Sequence, residues 1–181
     1  MTVRLIMACP NQARVLDNLF QLYTHDFSEF WAGTEHGELT GEGFFEPYPH
    51  LDSYWTDPNR EALFIHVDDA LVGFVLINDR SHSGQPLDHS IAEFFVARKY
   101  RGQGVGRQAA HAAFTRHPGI WEAAIARKNL PALAFWRRAV ATMPGAKKIQ
   151  EVDVTSADWD GPILRFAREP AQAAAGSEAA E

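Results

Sequence analysis

The stretch Arg98-Lys99-Tyr100-Arg101-Gly102-Gln103-Gly104-Val105-Gly106-Arg107 decides the reading of this 181-residue chain. Before it runs Ile91-Ala92-Glu93-Phe94-Phe95-Val96, β-branched and aromatic, which predicts a buried strand. After it comes Gln108-Ala109-Ala110-His111-Ala112-Ala113-Phe114, rich in strong helix formers and free of Gly and Pro. The order is strand, glycine-rich turn, helix. Alternating glycines let the backbone approach a ligand closely and aim successive N–H groups into one concavity. The helix behind them adds the positive end of its dipole. With Arg98, Lys99, Arg101 and Arg107 around it, the turn is expected to bind a polyanionic phosphate group.

Two common phosphate motifs do not fit. A P-loop needs four residues between its glycines and then Lys-Ser or Lys-Thr, and a dinucleotide fingerprint needs Gly-x-Gly-x-x-Gly with an acid about 20 positions on. Here the third glycine comes one residue early, and no acid stands at that offset. Arg101-x-x-Gly104-x-Gly106 instead closely resembles the pyrophosphate-binding pattern Gln/Arg-x-x-Gly-x-Gly/Ala of the GNAT family of N-acetyltransferases. The spacing from Val96 to Tyr100-Arg101-Gly102 matches that family too. A second point of resemblance is Asn129, Ala132, Phe135 and Trp136, which stand where the family carries Asn-x-x-Ala-x-x-Phe-Tyr.

The resemblance spans residues 3 to 168 and implies acetyl-CoA as cosubstrate, held between two strands that splay apart. It implies that backbone near Phe95 and Val96 holds the pantetheine and thioester. Arg98, Arg101 and the N–H groups of Gly102, Gln103, Gly104, Val105, Gly106 and Arg107 would hold the pyrophosphate, with Asn129 and Phe135 along the pantetheine arm. The substrate amine then attacks the thioester directly. Many members protonate the leaving thiolate from a Tyr where this chain has Trp136, whose indole N–H donates hydrogen bonds but is no practical acid. Orientation with solvent protonation is one route around this, and another side chain is a second. For the base the candidate is Glu93, an acid in an otherwise apolar strand, where burial would raise its pKa. The alternative is that Glu93 faces out or pairs with a cation; His89 is a weaker rival.

Length and composition predict one domain over residues 1 to 169. A tail of Ala, Gly, Ser and Glu follows at 170 to 181, expected to be disordered. No apolar run nears the roughly 20 residues that cross a bilayer. The start of the chain does not read as a signal peptide. A lone Cys9 excludes an internal disulfide and paired-cysteine zinc sites, and suits a reducing cytoplasm. His25, Asp26 and His36 match no metal motif, so no metal is expected. Residues 98 to 148 hold 11 of the 17 Lys and Arg but one acid, Glu122, whereas residues 26 to 57 hold eight acids and no Lys or Arg. A basic half suits a polyanion and an acidic stretch a cation, although either can be merely a solvated face. With a net charge of −6 and no basic-aromatic interleaving, nucleic acid is not expected as a partner.

Along the chain, Val3 to Met7 predicts a strand, and Asn11 is the expected cap of a helix from Gln12 to about Tyr23. Val15, Leu16, Leu19, Phe20 and Tyr23 fall on its core face. Residues 24 to 58 are broken by Gly and Pro yet rich in aromatics, with a short helix around Leu51 to Trp55. Phe30, Trp31 and Trp55 are the candidate contacts there for an amine substrate. Ala62 to Val67 and Leu71 to Asn78 form a hairpin, with Gly73 marking a bulge or a close approach. Ile120 to Ala126 predicts a strand, Asn129 caps a helix, and Lys147 to Val154 and Ile163 to Arg168 are two last strands.

The element order β, α, loop, β, β, β, α, β, α, β, β gives an α/β (mixed α+β) fold: a mostly antiparallel sheet of six to seven strands with helices on both faces. Three functions compete: an N-acetyltransferase for a small amine, one for a protein N-terminus or lysine, and a CoA-binding module without turnover. A homodimer is one assembly open to it.

Overall fold

The computed structural model describes residues 1–169, so the expected tail at 170–181 lies outside it. Ten elements follow in the expected order: β1 (Val3–Met7), α1 (Ala13–Ser28), β2 (Glu61–Val67), β3 (Ala70–Asn78), β4 (His89–Val96), α2 (Val105–Thr115), β5 (Gly119–Ala124), α3 (Leu130–Ala141), β6 (Ala146–Thr155) and β7 (Asp160–Arg168). The strands form one seven-stranded sheet in the order β1-β2-β3-β4-β5-β7-β6. Only β4 and β5 run parallel. Among the described residues no helix is long and apolar enough to cross a membrane.

Both faces of the sheet are covered, which is why its central strands read as unbroken apolar runs. In β2, Leu63 and Ile65 join a core with Val105, Ala109, Ala113 and Phe114 of α2 and Trp136 and Val140 of α3. Ala62 and Phe64 point the other way, to Leu16 and Phe20 of α1. The start of α1 differs from expectation. Pro10 winds the chain into a 3-10 turn over Pro10–Gln12 first, so Gln12 rather than Asn11 sits at the helix cap. The Asn11 side chain instead accepts from Cys9 Sγ at 2.8 Å. The helix also runs on to Ser28, because Thr24 to Phe27 contains no breaker and Phe27 packs its ring 5.6 Å from that of Tyr23.

Two register shifts shape β4. Between β2 and β3, Ile65 faces Gly73 and His66 faces Leu71, leaving Val72 as the extra residue. Next to it, Gly73 passes so close to β4 that a Cβ there would lie 1.9 Å from the Phe95 carbonyl oxygen, the close approach its position predicts. Between β3 and β4, Leu76 faces Glu93 and Ile77 faces Ile91, leaving Ala92 extra. Such a bulge re-aims the side chains that follow it. Ile91 packs with α2 and α3, whereas Ala92 lies against the α1 core, and Glu93, opposite Leu76, faces that side as well.

The loop from Asp79 to Asp88 is held by a buried ion pair between Glu122 of β5 and Arg165 of β7. Ser81 Oγ, Ser83 Oγ and the His82 N–H donate to the Glu122 carboxylate, and Arg165 Nη2 donates to the Pro86 carbonyl at 2.8 Å. Removing one charge of such a pair strands the other in the interior. Glu122→Gln is therefore expected to cost about 3 kcal/mol, lowering the melting temperature by about 10 °C in a thermal scan. A melting temperature equal to the parent's would contradict this.

Candidate active site

The site begins where two parallel strands part. Pairing between β4 and β5 covers only His89–Ile91 against Trp121–Ala123. Beyond that, β4 continues to Val96 while β5 ends at Ala124. A cleft of about 1070 Å³ opens there. Ala92, Glu93 and Phe94 line it from β4, with Ala123 and Ala124 from β5 and Asn129, Ala132 and Trp136 from the α3 side. The free edge of β4 carries backbone groups into this gap. The Ala97 N–H donates to the Val72 carbonyl of β3 at 2.8 Å, and among the described residues no peptide is cis, so the Val96 carbonyl of the same peptide points the opposite way. There it accepts from Arg101 Nε at 2.6 Å.

At the far end of β4 lies the glycine turn. Gly102 and Gly104 take φ of 72° and 82°, the left-handed region that favours glycine. Gly104 is the N-cap of α2, and Gln108 N–H donates to its carbonyl at 3.1 Å. The N–H groups of Val105, Gly106 and Arg107 precede that first bond and have no acceptor within the helix. The Val105 side chain is fully buried, so only its backbone is available to a ligand. A Cβ on Gly106 would lie 3.1 Å from the Phe135 ring, which in turn lies 5.7 Å from Phe94, so this glycine seats α3 against α2.

The basic residues divide. Asp26 of α1 accepts from Arg98 Nε at 2.9 Å and from Arg101 Nη2 at 2.5 Å. Burial opposes ionisation of Asp26, but the hydrogen bonds from Arg98 and Arg101 outweigh it and hold its carboxyl below the usual range. Gln103 braces the turn by donating to the Lys99 carbonyl at 2.7 Å. Farther away, Arg116 pairs with Glu61, Arg127 with Asp153 and Asp160, Arg137 with Glu151, and Lys147 with Glu169. Those residues are taken up in ion pairs away from the glycine turn.

Glu93 sits at the inner end of the cleft. Tyr23 of α1 donates to its Oε2 at 2.5 Å. Burial pushes the carboxyl up to about 7, against the pull of hydrogen bonds from Tyr23 and Tyr48. Burial and the neighbouring Glu93 charge raise Tyr23 well above an ordinary phenol, so it donates without releasing its proton. Trp136 is buried, edge-on to Phe94 at 5.1 Å, with part of its ring on the cleft wall. Asn129 caps α3 by accepting from the Ala132 N–H at 3.1 Å, which leaves its NH2 end for a ligand.

The outer cleft is walled by the segment from Trp31 to His50 and by the β6–β7 turn at Ser156 to Asp160. Gln21 of α1 fixes the first wall through both backbone groups of Phe45, at 2.8 and 3.1 Å. Trp31 lines the cleft as expected. Phe30 and Trp55 do not: Phe30 packs on Phe27, and Trp55 packs against the α1 core. Glu35, Glu38, Glu46, Asp158 and Asp160 line this end, against Arg60 and Arg80. Tyr23, Tyr48, Glu46 and Trp159 have no motif in the sequence that marks them as site residues. Among the described residues, no group of three His, Cys, Asp or Glu side chains is placed to hold a metal ion.

Comparison with known proteins agrees with this geometry. A family described as Acetyltransferase (GNAT) family matches residues 16–140. No curated protein matches the chain. An acetyltransferase from Thermus thermophilus shares the fold with a TM-score of 0.63 at 19% identity, over 93% of this chain and 97% of that one. The aminoglycoside acetyltransferase AAC(6')-Ib, solved with coenzyme A and kanamycin, gives 0.63 at 13% identity, over 92% and 95%. A spermidine N-acetyltransferase chimera from Vibrio cholerae and hSSAT gives 0.54 at 13% identity, over 93% and 96%.

Proposed function

Because the chain belongs to the GNAT family of acetyltransferases, we propose that it acetylates a primary amine of a small cationic molecule, with Glu93 as the base. The observation that carries this reading is the Glu93 carboxyl on the wall of the cleft between β4 and β5, held by the Tyr23 hydroxyl at 2.5 Å and pushed by burial up to about 7. General-base catalysis works best when the pKa of the base lies close to the working pH. Acetyl-CoA supplies the activated thioester. The residues fit it: unpaired N–H groups at the start of α2 suit a pyrophosphate, and the open edge of β4 suits an extended amide-bearing arm.

An amine enters as an ammonium ion drawn by Glu35, Glu38, Glu46 and Asp158. Glu93 takes one proton, directly or through a water. The amine nitrogen then bonds to the acetyl carbon as the carbon–sulfur bond breaks, and the second proton of the nitrogen passes through solvent to the departing thiolate. Backbone N–H groups on the free edge of β4 polarise the acetyl carbonyl during this step. Trp136 supplies shape to the wall and no proton.

Two walls around the acceptor end favour a small molecule over a peptide, which needs an open groove. The neighbours named for aminoglycosides and spermidine agree with an amine acceptor. The test is thiol release from acetyl-CoA across a panel of small di- and polyamines and of peptides with free lysine or N-terminal amines. Turnover of the small amines above the peptides is expected. Preference for peptides would overturn the substrate class, and saturable acetyl-CoA binding with no thiol release from any amine would point to a binding module instead.

A further inference from the structure

We propose that Tyr23 is a positioning residue for Glu93: its hydroxyl holds Oε2 and leaves Oε1 facing the cleft as the proton acceptor. The inference rests on the reading of Glu93 as the base. Tyr23 closes the apolar stripe Leu16, Leu19, Phe20 on α1 and brings a hydroxyl to an otherwise hydrocarbon face. Its ring is locked edge-on against Phe20 at 5.8 Å, Phe74 at 5.9 Å and Phe95 at 6.3 Å, and tilted against Phe27 at 5.6 Å. The hydroxyl therefore has one direction to point, and Glu93 Oε2 lies there at 2.5 Å.

The bulge at Ala92 completes the arrangement from the other side. Strict alternation through Ile91 and Ala92 would turn Glu93 toward α2 and α3; the bulge breaks it, so that Ala92 and Glu93 both face α1 and Tyr23. Other groups facing this carboxyl are Tyr48 from the cleft wall and Tyr54 from the 3-10 turn Leu51–Trp55, with Arg60 ahead of β2 lying 5.4 Å from the Tyr54 ring. Among the described residues no Lys, Arg or His forms an ion pair with Glu93. Its ionised form thus depends on phenol donors. Burial drives the carboxyl upward and the Tyr23 hydrogen bond pulls it down, so deleting the hydroxyl sends it higher still.

Only the ionised carboxylate acts as a base, so activity falls as pH drops through its pKa. Tyr23→Phe keeps the ring and removes one oxygen. The acid limb of kcat/KM is expected to move up by about one pH unit, with a loss of about tenfold below the limb and little change on the alkaline plateau. An infrared difference titration of the protonated carboxyl band that Glu93→Gln removes should show the same displacement without turnover. A purely structural tyrosine would lower activity at every pH and leave that band in place. A limb that vanishes in Glu93→Gln but stays put in Tyr23→Phe would overturn the positioning role alone. If the limb persists in Glu93→Gln, the base assignment fails, and the proposal fails with it.

Discussion

Glu93→Gln is expected to lower kcat/KM for amine acetylation by about 10² to 10⁴-fold near neutral pH, the range that a positioned general base contributes. The replacement is isosteric and keeps an acceptor for the Tyr23 hydroxyl, so the α1 face stays packed. In the parent enzyme activity is expected to rise with pH through about 7, to which burial pushes the Glu93 carboxyl. The glutamine enzyme loses that limb and responds only to ionisation of the amine. Its affinity for CoA is expected to stay unchanged, because the carboxyl lines the cleft and lies away from the glycine turn. Retained activity with an intact acid limb would remove Glu93 from the chemistry.

The second large effect belongs to Gly104. At φ 82° this residue sits where a side chain is disfavoured, and a β-branched one most of all. Space is not the obstacle, since a Cβ there would find only Gln108 Nε2, at 3.8 Å. The backbone of Gly104→Val instead rotates out of the left-handed region, and the N–H groups leading into α2 no longer converge. Acetyl-CoA binding is expected to weaken by about 100-fold or more, about 3 kcal/mol. The melting temperature of the unliganded protein should change by only a few degrees, because the α2 core residues are untouched. Unchanged affinity would mean that the turn is not the pyrophosphate site.

The order of elements was legible because both periodicities are clean: apolar runs flanked by turns for the strands, and stripes bounded by Asn129 or Gly104 for the helices. The glycine turn was legible because its chemistry is local. Glu93 stood out as one acid in an apolar strand. Its orientation did not, because a bulge is set by the register between two strands and leaves Ala92 looking like any other residue of β4. Tyr23 read as core for a similar reason: its ring is core, and only the fold shows where its oxygen goes.

Charge was harder to read than hydrophobicity. Arg98 and Arg101 look like free phosphate ligands in sequence, yet both lean on Asp26, which lies more than 70 residues earlier. Glu122 stands as the lone acid of a basic half, and that isolation hides a buried pair with Arg165 formed across β5 and β7. Aromatic content marked the segment before β2 as ordered but could not choose which rings face the cleft. Trp31 does, while Phe30 and Trp55 are taken up in packing. Each missed partner is a long-range contact with no local signature.

Calorimetric titration of the intact chain with acetyl-CoA, with NADH and ATP as controls, tests the central assignment most directly. Saturable binding of acetyl-CoA, with neither control reproducing it, is the predicted result, because the site combines a pyrophosphate turn with the open strand edge that an acylated arm requires. Absence of binding at millimolar acetyl-CoA, or equal binding of NADH, would contradict it.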